Sequence, residues 1–140
     1  VIFKNESISE LLSVTSYFKV GDAPLFFFYS QLGDIGYIDE CMSTYRIHDD
    51  GVWSRKSEIG RLEGIIDTRI KLKKKLNMGD SSKIFNERTL WYNIKLMAHY
   101  IKCNDKRNVR KYIFKSIPYI PVANIFQIKK LLIYFFKSIF

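Results

Sequence analysis

The feature that most constrains the fold is a pair of apolar stripes with helical spacing in the middle of the chain. The first stripe begins after Ser57 and consists of Ile59, Leu62, Ile66 and Ile70. The second lies within a helix predicted over about Ile84–Lys102 and consists of Leu90, Ile94, Met97 and Ile101. Residues three or four apart share one helix face, so each stripe predicts a buried face. The break over residues 77–82 is short, which predicts that the two helices pack antiparallel.

A further helix is predicted to begin at Asp22. Aspartate is a favourable N-cap and proline is tolerated in the first turn, so Asp22-Ala23-Pro24 is a strong helix start. The run Leu25–Leu32 is almost wholly apolar, which predicts a helix buried on most sides. Gly33 fits its C-terminal end.

Two short runs after Gly33 are typical of strands. Ile35–Ile38 and Cys41–Ile47 contain β-branched and aromatic residues, and Asp39-Glu40 lies between them as a turn. These runs predict a short β-hairpin. Alternation along the second strand places Arg46 and His48 on one face.

Four short motifs follow one another in this region. They are Gly21-Asp22, Gly36-Tyr37-Ile38-Asp39, Tyr45-Arg46-x-His48 and Gly51-Val52-Trp53-Ser54. Over roughly Val1–Lys56 the chain resembles the C-terminal, acceptor-side part of a family 2 glycosyltransferase with the GT-A (nucleotide-diphospho-sugar transferase) fold. The resemblance implies a fold that is α/β by ancestry. The long helical patterns make this chain predominantly α, with a short β-hairpin and a helical extension. Because the chain starts at Val1 without Met, we expect it to be a fragment that lacks the nucleotide-binding half.

The resemblance implies that Asp22 is the catalytic base. Inverting glycosyl transfer needs one carboxylate to take the proton from the attacking hydroxyl. Gly21-Asp22 stands where the family has an acidic motif at the start of a helix, although Gly21 replaces the glutamate often found there. The alternative is that Asp22 is only an N-cap.

Three further residues are implied to bind substrate, namely Tyr45, Arg46 and Trp53. A guanidinium suits bidentate contact with a phosphate, and an indole face suits a sugar ring. The alternatives are that Arg46 pairs with Asp39 or Glu40 across the hairpin, and that Trp53 fills the core beneath the loop.

The resemblance also implies a divalent cation, Mg or Mn. The His of Tyr45-Arg46-x-His48 matches the position of a C-terminal metal ligand in many GT-A enzymes. The chain contains no Asp-x-Asp, so the other ligands are expected upstream. The alternative is a surface loop histidine.

Charge and aromatic content point to an anionic partner. The formal net charge is +9, which favours nucleic acid, lipid headgroups or phosphorylated sugars. From Lys106 to Phe140 every charged side chain is positive, and aromatic residues lie between the cations. No apolar run approaches the ~20 residues of a membrane span, so we expect Val122–Phe140 to be a basic helix lying in a membrane interface. The alternative is that its aromatic face packs on protein. RNA recognition motifs are absent, and nucleic acid is not expected.

Taken together, the patterns predict three parts: residues 1–56 from the catalytic domain, 57–116 as a helical extension and 117–140 as the basic amphipathic helix. The predicted function is transfer of a sugar from a nucleotide-sugar donor to a glycan or lipid-linked acceptor in bacterial surface polysaccharide synthesis. The alternative is a non-catalytic basic module that binds a membrane surface or another anionic partner. The expected location is cytoplasmic, peripheral to the inner face of the membrane. Cys41 and Cys103 are expected to be reduced and buried.

Overall fold

The fold is known from a computed structural model that describes residues 18, 22–44, 51, 54–75 and 82–139. Within these residues the protein is predominantly helical, with five α-helices, one 3-10 helix and no β-strand. The predominantly α prediction is therefore confirmed. The chain divides into two compact units, Val1–Ser57 and Glu58–Phe140.

In the first unit, helix α1 spans Asp22–Leu32, as the sequence predicts. Pro24 is fully buried in its first turn, and Gly33 follows its last residue. The expectation that this helix is buried on most sides is wrong. Phe26 is 38% exposed, and Leu25, Phe27, Phe28 and Tyr29 are half-buried.

The predicted β-hairpin is not supported. Ile35–Ile38 and residues 41–44 form no strand, and the remainder of the second run lies outside the described residues. The side chains here are exposed, Tyr37 to 87% and Ile35 to 70%. Strand preference in β-branched and aromatic residues reflects packing against a neighbouring strand or layer. Among the residues that the structure describes, no strand or layer covers these side chains, and an isolated hairpin is marginally stable.

The second unit is a helical bundle. Helix α2 spans Glu58–Lys75, α3 spans Ser82–Lys102 and α4 spans Lys106–Ser116. A 3-10 helix, Ile117–Val122, leads to α5 at Ile125–Ile139. Helices α2 and α3 are antiparallel, because Arg69 contacts Phe85 whereas Glu58 contacts His99. The predicted arrangement of these two helices is confirmed.

Helix α3 is the centre of the core. It packs against α2, α4, the 3-10 helix and α5. Its Leu90, Leu96 and Met97 are fully buried. Around them lie buried residues from every neighbour: Leu62, Ile66, Val109, Tyr112, Tyr119 and Leu131. The bundle thus buries the middle of both predicted stripes, while Ile59, Ile70 and Ile101 at their ends are partly buried against the core.

The links between the last elements follow from local chemistry. The Asp105 side chain caps α4 by accepting a hydrogen bond from the Asn108 backbone N–H at 3.0 Å. Asn104 precedes it with a left-handed φ of 54°, a conformation that asparagine tolerates better than most residues. The α-helix ends at Ser116, before Pro118, whose ring disfavours the α conformation in the preceding residue. The chain then continues as a 3-10 helix through Pro118 and Pro121.

Both cysteines are free and exposed, so the expectation that their thiols are buried is wrong. Cys41 lies in the irregular segment after α1, and Cys103 lies in the turn between α3 and α4. Among the described residues, no helix combines the length and the hydropathy that crossing a bilayer requires.

Candidate functional site

Asp22 is the one predicted site residue that the structure describes, and it lies exposed at the first position of α1. Its Oδ1 accepts a hydrogen bond from the Ala23 backbone N–H at 2.8 Å. Its second carboxylate oxygen makes no hydrogen bond to any described residue. The N-cap alternative predicts acceptance from the N–H groups two or three positions further on, whereas the contact seen is with the adjacent residue. The carboxylate is therefore exposed to solvent and does not make the usual N-cap hydrogen bond with a described residue.

The other predicted site residues lie outside the described part of the chain. They are Tyr45, Arg46, His48 and Trp53. Their roles in binding substrate and metal stay predictions. The residues that the structure describes contain no group of three or more His, Cys, Asp or Glu side chains that could hold a metal ion.

The outward face of α5 is apolar and basic. At 3.6 residues per turn, one stripe of exposed side chains consists of Ile125, Lys129, Leu132, Phe136 and Ile139. Phe126, Lys130, Ile133 and Lys137 flank it and are also exposed. Phe126 is 73% exposed, Phe136 57% and Leu132 54%. We call these nine side chains the α5 outer face. The opposite side of the helix packs into the core through Leu131 and Ser138.

A second group of exposed apolar side chains lies just before α5 in the sequence. Phe114, Ile117 and Ile120, spaced three apart, are all exposed, Phe114 to 67%. Lys111 and Lys115 are exposed on the same stretch, and both ammonium groups lie over the Tyr112 ring, at 5.5 and 5.0 Å from its centroid. Exposed aromatic and aliphatic side chains with only cations among them are typical of surfaces that bind anionic lipid.

Two tyrosines share one carboxylate inside the bundle. Tyr100 and Tyr112 donate hydrogen bonds to Glu63 Oε1 at 2.9 and 3.0 Å, and their rings stack at 5.8 Å. Burial, and then the bond to Glu63, raises the pKa of each phenol. This contact joins α2, α3 and α4 at one atom.

Arg69 is a polar residue on the buried side of α2 that the sequence analysis did not single out. Its Nε donates to Thr89 Oγ1 at 3.0 Å, and its Nη2 donates to the Phe85 carbonyl at 2.7 Å. The guanidinium also stacks on the Phe85 ring, 4.0 Å from the centroid. The sequence pattern could have predicted this position, because Arg69 follows Leu62 and Ile66 at helical spacing and so lies on the stripe that faces α3.

Comparison with known proteins returns no match, whether to a family model, to a curated protein or to a solved structure.

Proposed function

We propose that this chain is the acceptor-side part of an inverting glycosyltransferase. The observation that carries the proposal is the carboxylate of Asp22, exposed at the start of α1 and lightly hydrogen-bonded, within an ordered series of motifs that resembles family 2 enzymes. A general base must be accessible and must keep a free lone pair for the proton it removes. Asp22 meets both conditions.

In the proposed reaction the Asp22 carboxylate takes the proton from an acceptor hydroxyl. The hydroxyl oxygen forms a bond to the anomeric carbon of the donor, and the bond from that carbon to the diphosphate oxygen breaks. The electron pair leaves with the nucleoside diphosphate, and the anomeric configuration inverts. One carboxylate suffices for this step, whereas glycoside hydrolysis uses two. A Mg or Mn ion held partly by His48 would supply charge neutralisation on the leaving diphosphate.

The test measures nucleoside diphosphate release by the full-length natural protein. The assay offers a panel of UDP-, GDP- and dTDP-sugars with a membrane lipid extract as acceptor. Asp22→Asn should lower turnover by about 10²–10⁴-fold, the usual contribution of a general base. Asp34→Asn is the matched control, since Asp34 is also exposed in the same unit. Equal turnover in Asp22→Asn and wild type would contradict the assignment of Asp22, and a wild-type protein inactive with every donor would contradict the glycosyltransferase proposal.

We further propose that the helical unit binds the anionic surface of a membrane, which would place the protein peripherally at its cytoplasmic face. The α5 outer face supports this, because it exposes contiguous apolar side chains with three lysines among them. An interfacial helix buries apolar side chains at the acyl boundary and places its lysines on lipid phosphates. This role is compatible with transfer to a lipid-linked acceptor. It also stands alone as the alternative function of a non-catalytic module.

Vesicle co-sedimentation tests the membrane role. We expect binding to vesicles that contain phosphatidylglycerol and weak binding to pure phosphatidylcholine, with loss in high salt. Phe126→Ser should weaken binding by at least about tenfold, because burial of a phenylalanine contributes roughly 1.5–3 kcal/mol. Ile84→Ser is the control, since Ile84 is 65% exposed on α3. Binding that ignores lipid charge, or that falls equally in both variants, contradicts the proposal.

A further inference from the structure

A cluster of three cations lies on the side of the bundle where α2 meets α3. It consists of Arg69, Lys73 and Arg88, and we call it the cationic cluster. Arg69 and Lys73 are one turn apart on α2, and Arg88 on α3 directly precedes Thr89, whose hydroxyl accepts a hydrogen bond from Arg69. No described carboxylate lies within the 4.0 Å of an ion pair from any of the three.

Arg69 is the central member because its guanidinium is held in place. Two of its five N–H groups donate to Thr89 and Phe85, and its plane rests on the Phe85 ring. The remaining three N–H groups have no acceptor among the described residues. A guanidinium that is already oriented loses little entropy when it binds an oxyanion with this free edge.

Burial makes the lack of a counter-ion unfavourable. Arg69 is half-buried, and burial lowers the pKa of its guanidinium; Arg88 lowers this pKa as well, while Tyr92 opposes the change. Arginine nevertheless stays protonated in proteins. A partly desolvated cation beside a second cation is costly unless an anion is paired with it.

Two tyrosine rings and an asparagine lie beside the cations of the cluster. The Tyr92 ring centroid lies 5.8 Å from the Arg69 guanidinium carbon, and the Tyr119 ring lies 5.7 Å from Lys73 Nζ. Lys73 Nζ donates to Asn86 Oδ1 at 2.8 Å, which holds the ammonium at the cluster. Three positive charges with a free guanidinium edge match a multiply charged, tetrahedral oxyanion better than a single carboxylate.

We propose that the cationic cluster is a binding site for a phosphate group. The group is free inorganic phosphate or diphosphate, or the phosphomonoester headgroup of a lipid. This site lies within the helical unit and does not depend on the proposed glycosyltransferase activity or on the α5 outer face.

Thermal unfolding of the 140-residue chain tests the proposal without any turnover. Inorganic phosphate and pyrophosphate, compared with chloride at equal ionic strength, should raise the melting temperature in a saturable way. Arg88→Gln should weaken phosphate binding and so raise the half-saturating phosphate concentration about tenfold, since a hydrogen bond to a charged group contributes about 1.5–3 kcal/mol. Arg107→Gln is the matched control, because Arg107 is an exposed arginine on α4 and should leave the phosphate response unchanged.

A second variant separates binding from folding. Arg69→Lys keeps the charge but loses the fixed fork, and we expect it to remain helical by circular dichroism while losing the phosphate response. The proposal is overturned if phosphate raises the melting temperature no more than chloride does. It is also overturned if the phosphate effect persists in both Arg88→Gln and Arg69→Lys.

Vesicles then identify the source of the phosphate. In a Phe126→Ser background, which weakens the α5 outer face, vesicles with phosphatidic acid are compared with vesicles of equal charge that contain phosphatidylglycerol. A preference for phosphatidic acid that Arg88→Gln removes identifies a lipid headgroup. A response to soluble phosphate without this preference identifies a soluble ligand.

Discussion

Replacement of Tyr112 by phenylalanine tests how strongly Glu63 holds the bundle together. Tyr112 is 3% exposed and donates to Glu63 Oε1 at 3.0 Å, beside the bond of 2.9 Å from Tyr100. A hydrogen bond to a charged acceptor contributes about 1.5–3 kcal/mol. Glu63 is half-exposed, so water can replace part of the lost hydrogen bond. We therefore expect the free energy of unfolding to fall by the low end of this range, about 1.5 kcal/mol. At about 4–8 °C per kcal/mol for a unit of this size, the melting temperature should fall by about 6–12 °C.

Urea unfolding followed by far-UV circular dichroism measures the free energy of unfolding of wild type, Tyr112→Phe, Tyr100→Phe and the double variant. Because both hydroxyls donate to one oxygen, the two losses should be non-additive by at least about 0.5 kcal/mol. Tyr134→Phe is the control, since Tyr134 packs at the edge of the same core and should change stability little. A loss in Tyr112→Phe no larger than in Tyr134→Phe refutes the role of Glu63.

The contact of Tyr100 and Tyr112 with Glu63 also predicts how the stability of the bundle responds to alkaline pH. The folded state raises the pKa of Tyr112 above the ordinary value of 10.0, so above that pH the unfolded chain loses the phenolic proton more readily than the folded chain. The free energy of unfolding should therefore fall as pH rises beyond 10.0, and this fall should be smaller in Tyr112→Phe. Parallel profiles for the two proteins would contradict this explanation.

Three further predictions concern other parts of the bundle. Leu96 has no exposed surface, so Leu96→Ala should lower the free energy of unfolding of the protein by about 2–5 kcal/mol. A smaller loss in urea unfolding would show that the core is loosely packed. Asp105→Ala should lower the melting temperature more than Asp105→Asn, because asparagine also caps a helix. Hydrogen bonds from Asn108 lower the pKa of Asp105, so its contribution should be lost as pH falls below 3.8; an unchanged acid profile in Asp105→Ala would contradict this. Glu58→Gln should leave the melting temperature unchanged, since the ion pairs of Glu58 with Lys95 and His99 lie at the surface.

The helices are the part of the fold that the sequence predicts well. Leu62 and Ile66 on α2, and Leu90, Ile94 and Met97 on α3, are buried at the positions that the spacing assigns. Helical spacing records which side chains share a face, and the burial of that face stabilises the helix that carries it. Local pattern and tertiary packing agree here, so the sequence alone is informative.

The hairpin shows where a local pattern is insufficient. Tyr37 and Ile38 have the composition of a strand but are exposed and unpaired in any sheet within the described residues. A strand needs a partner, and alternation along one segment does not identify that partner. The start of α1 at Asp22 was predictable because the preference of aspartate and proline for the first turn of a helix is local, whereas the catalytic role of Asp22 depends on groups elsewhere and stays a prediction.

Arg69 illustrates a second limit. Its acceptors, the Phe85 carbonyl and Thr89 Oγ1, lie 16 and 20 residues further along the chain. Their proximity follows from the antiparallel register of α2 and α3. An apolar pattern predicts that register only approximately, and it says nothing about which polar groups meet across the interface.

If the α5 outer face binds a partner as proposed, α5 would couple that binding to the stability of the whole helical unit. Its inner side supplies Leu131 to the core, while its outer face presents Phe126 and Phe136. A partner that binds only when α5 is packed on the rest of the bundle shifts the unfolding equilibrium toward the folded state. By thermodynamic linkage, a partner present at 100 times its dissociation constant adds about 2.7 kcal/mol to the free energy of unfolding. The bound surface would then act as a stabilising ligand for residues such as Leu96, which it does not touch.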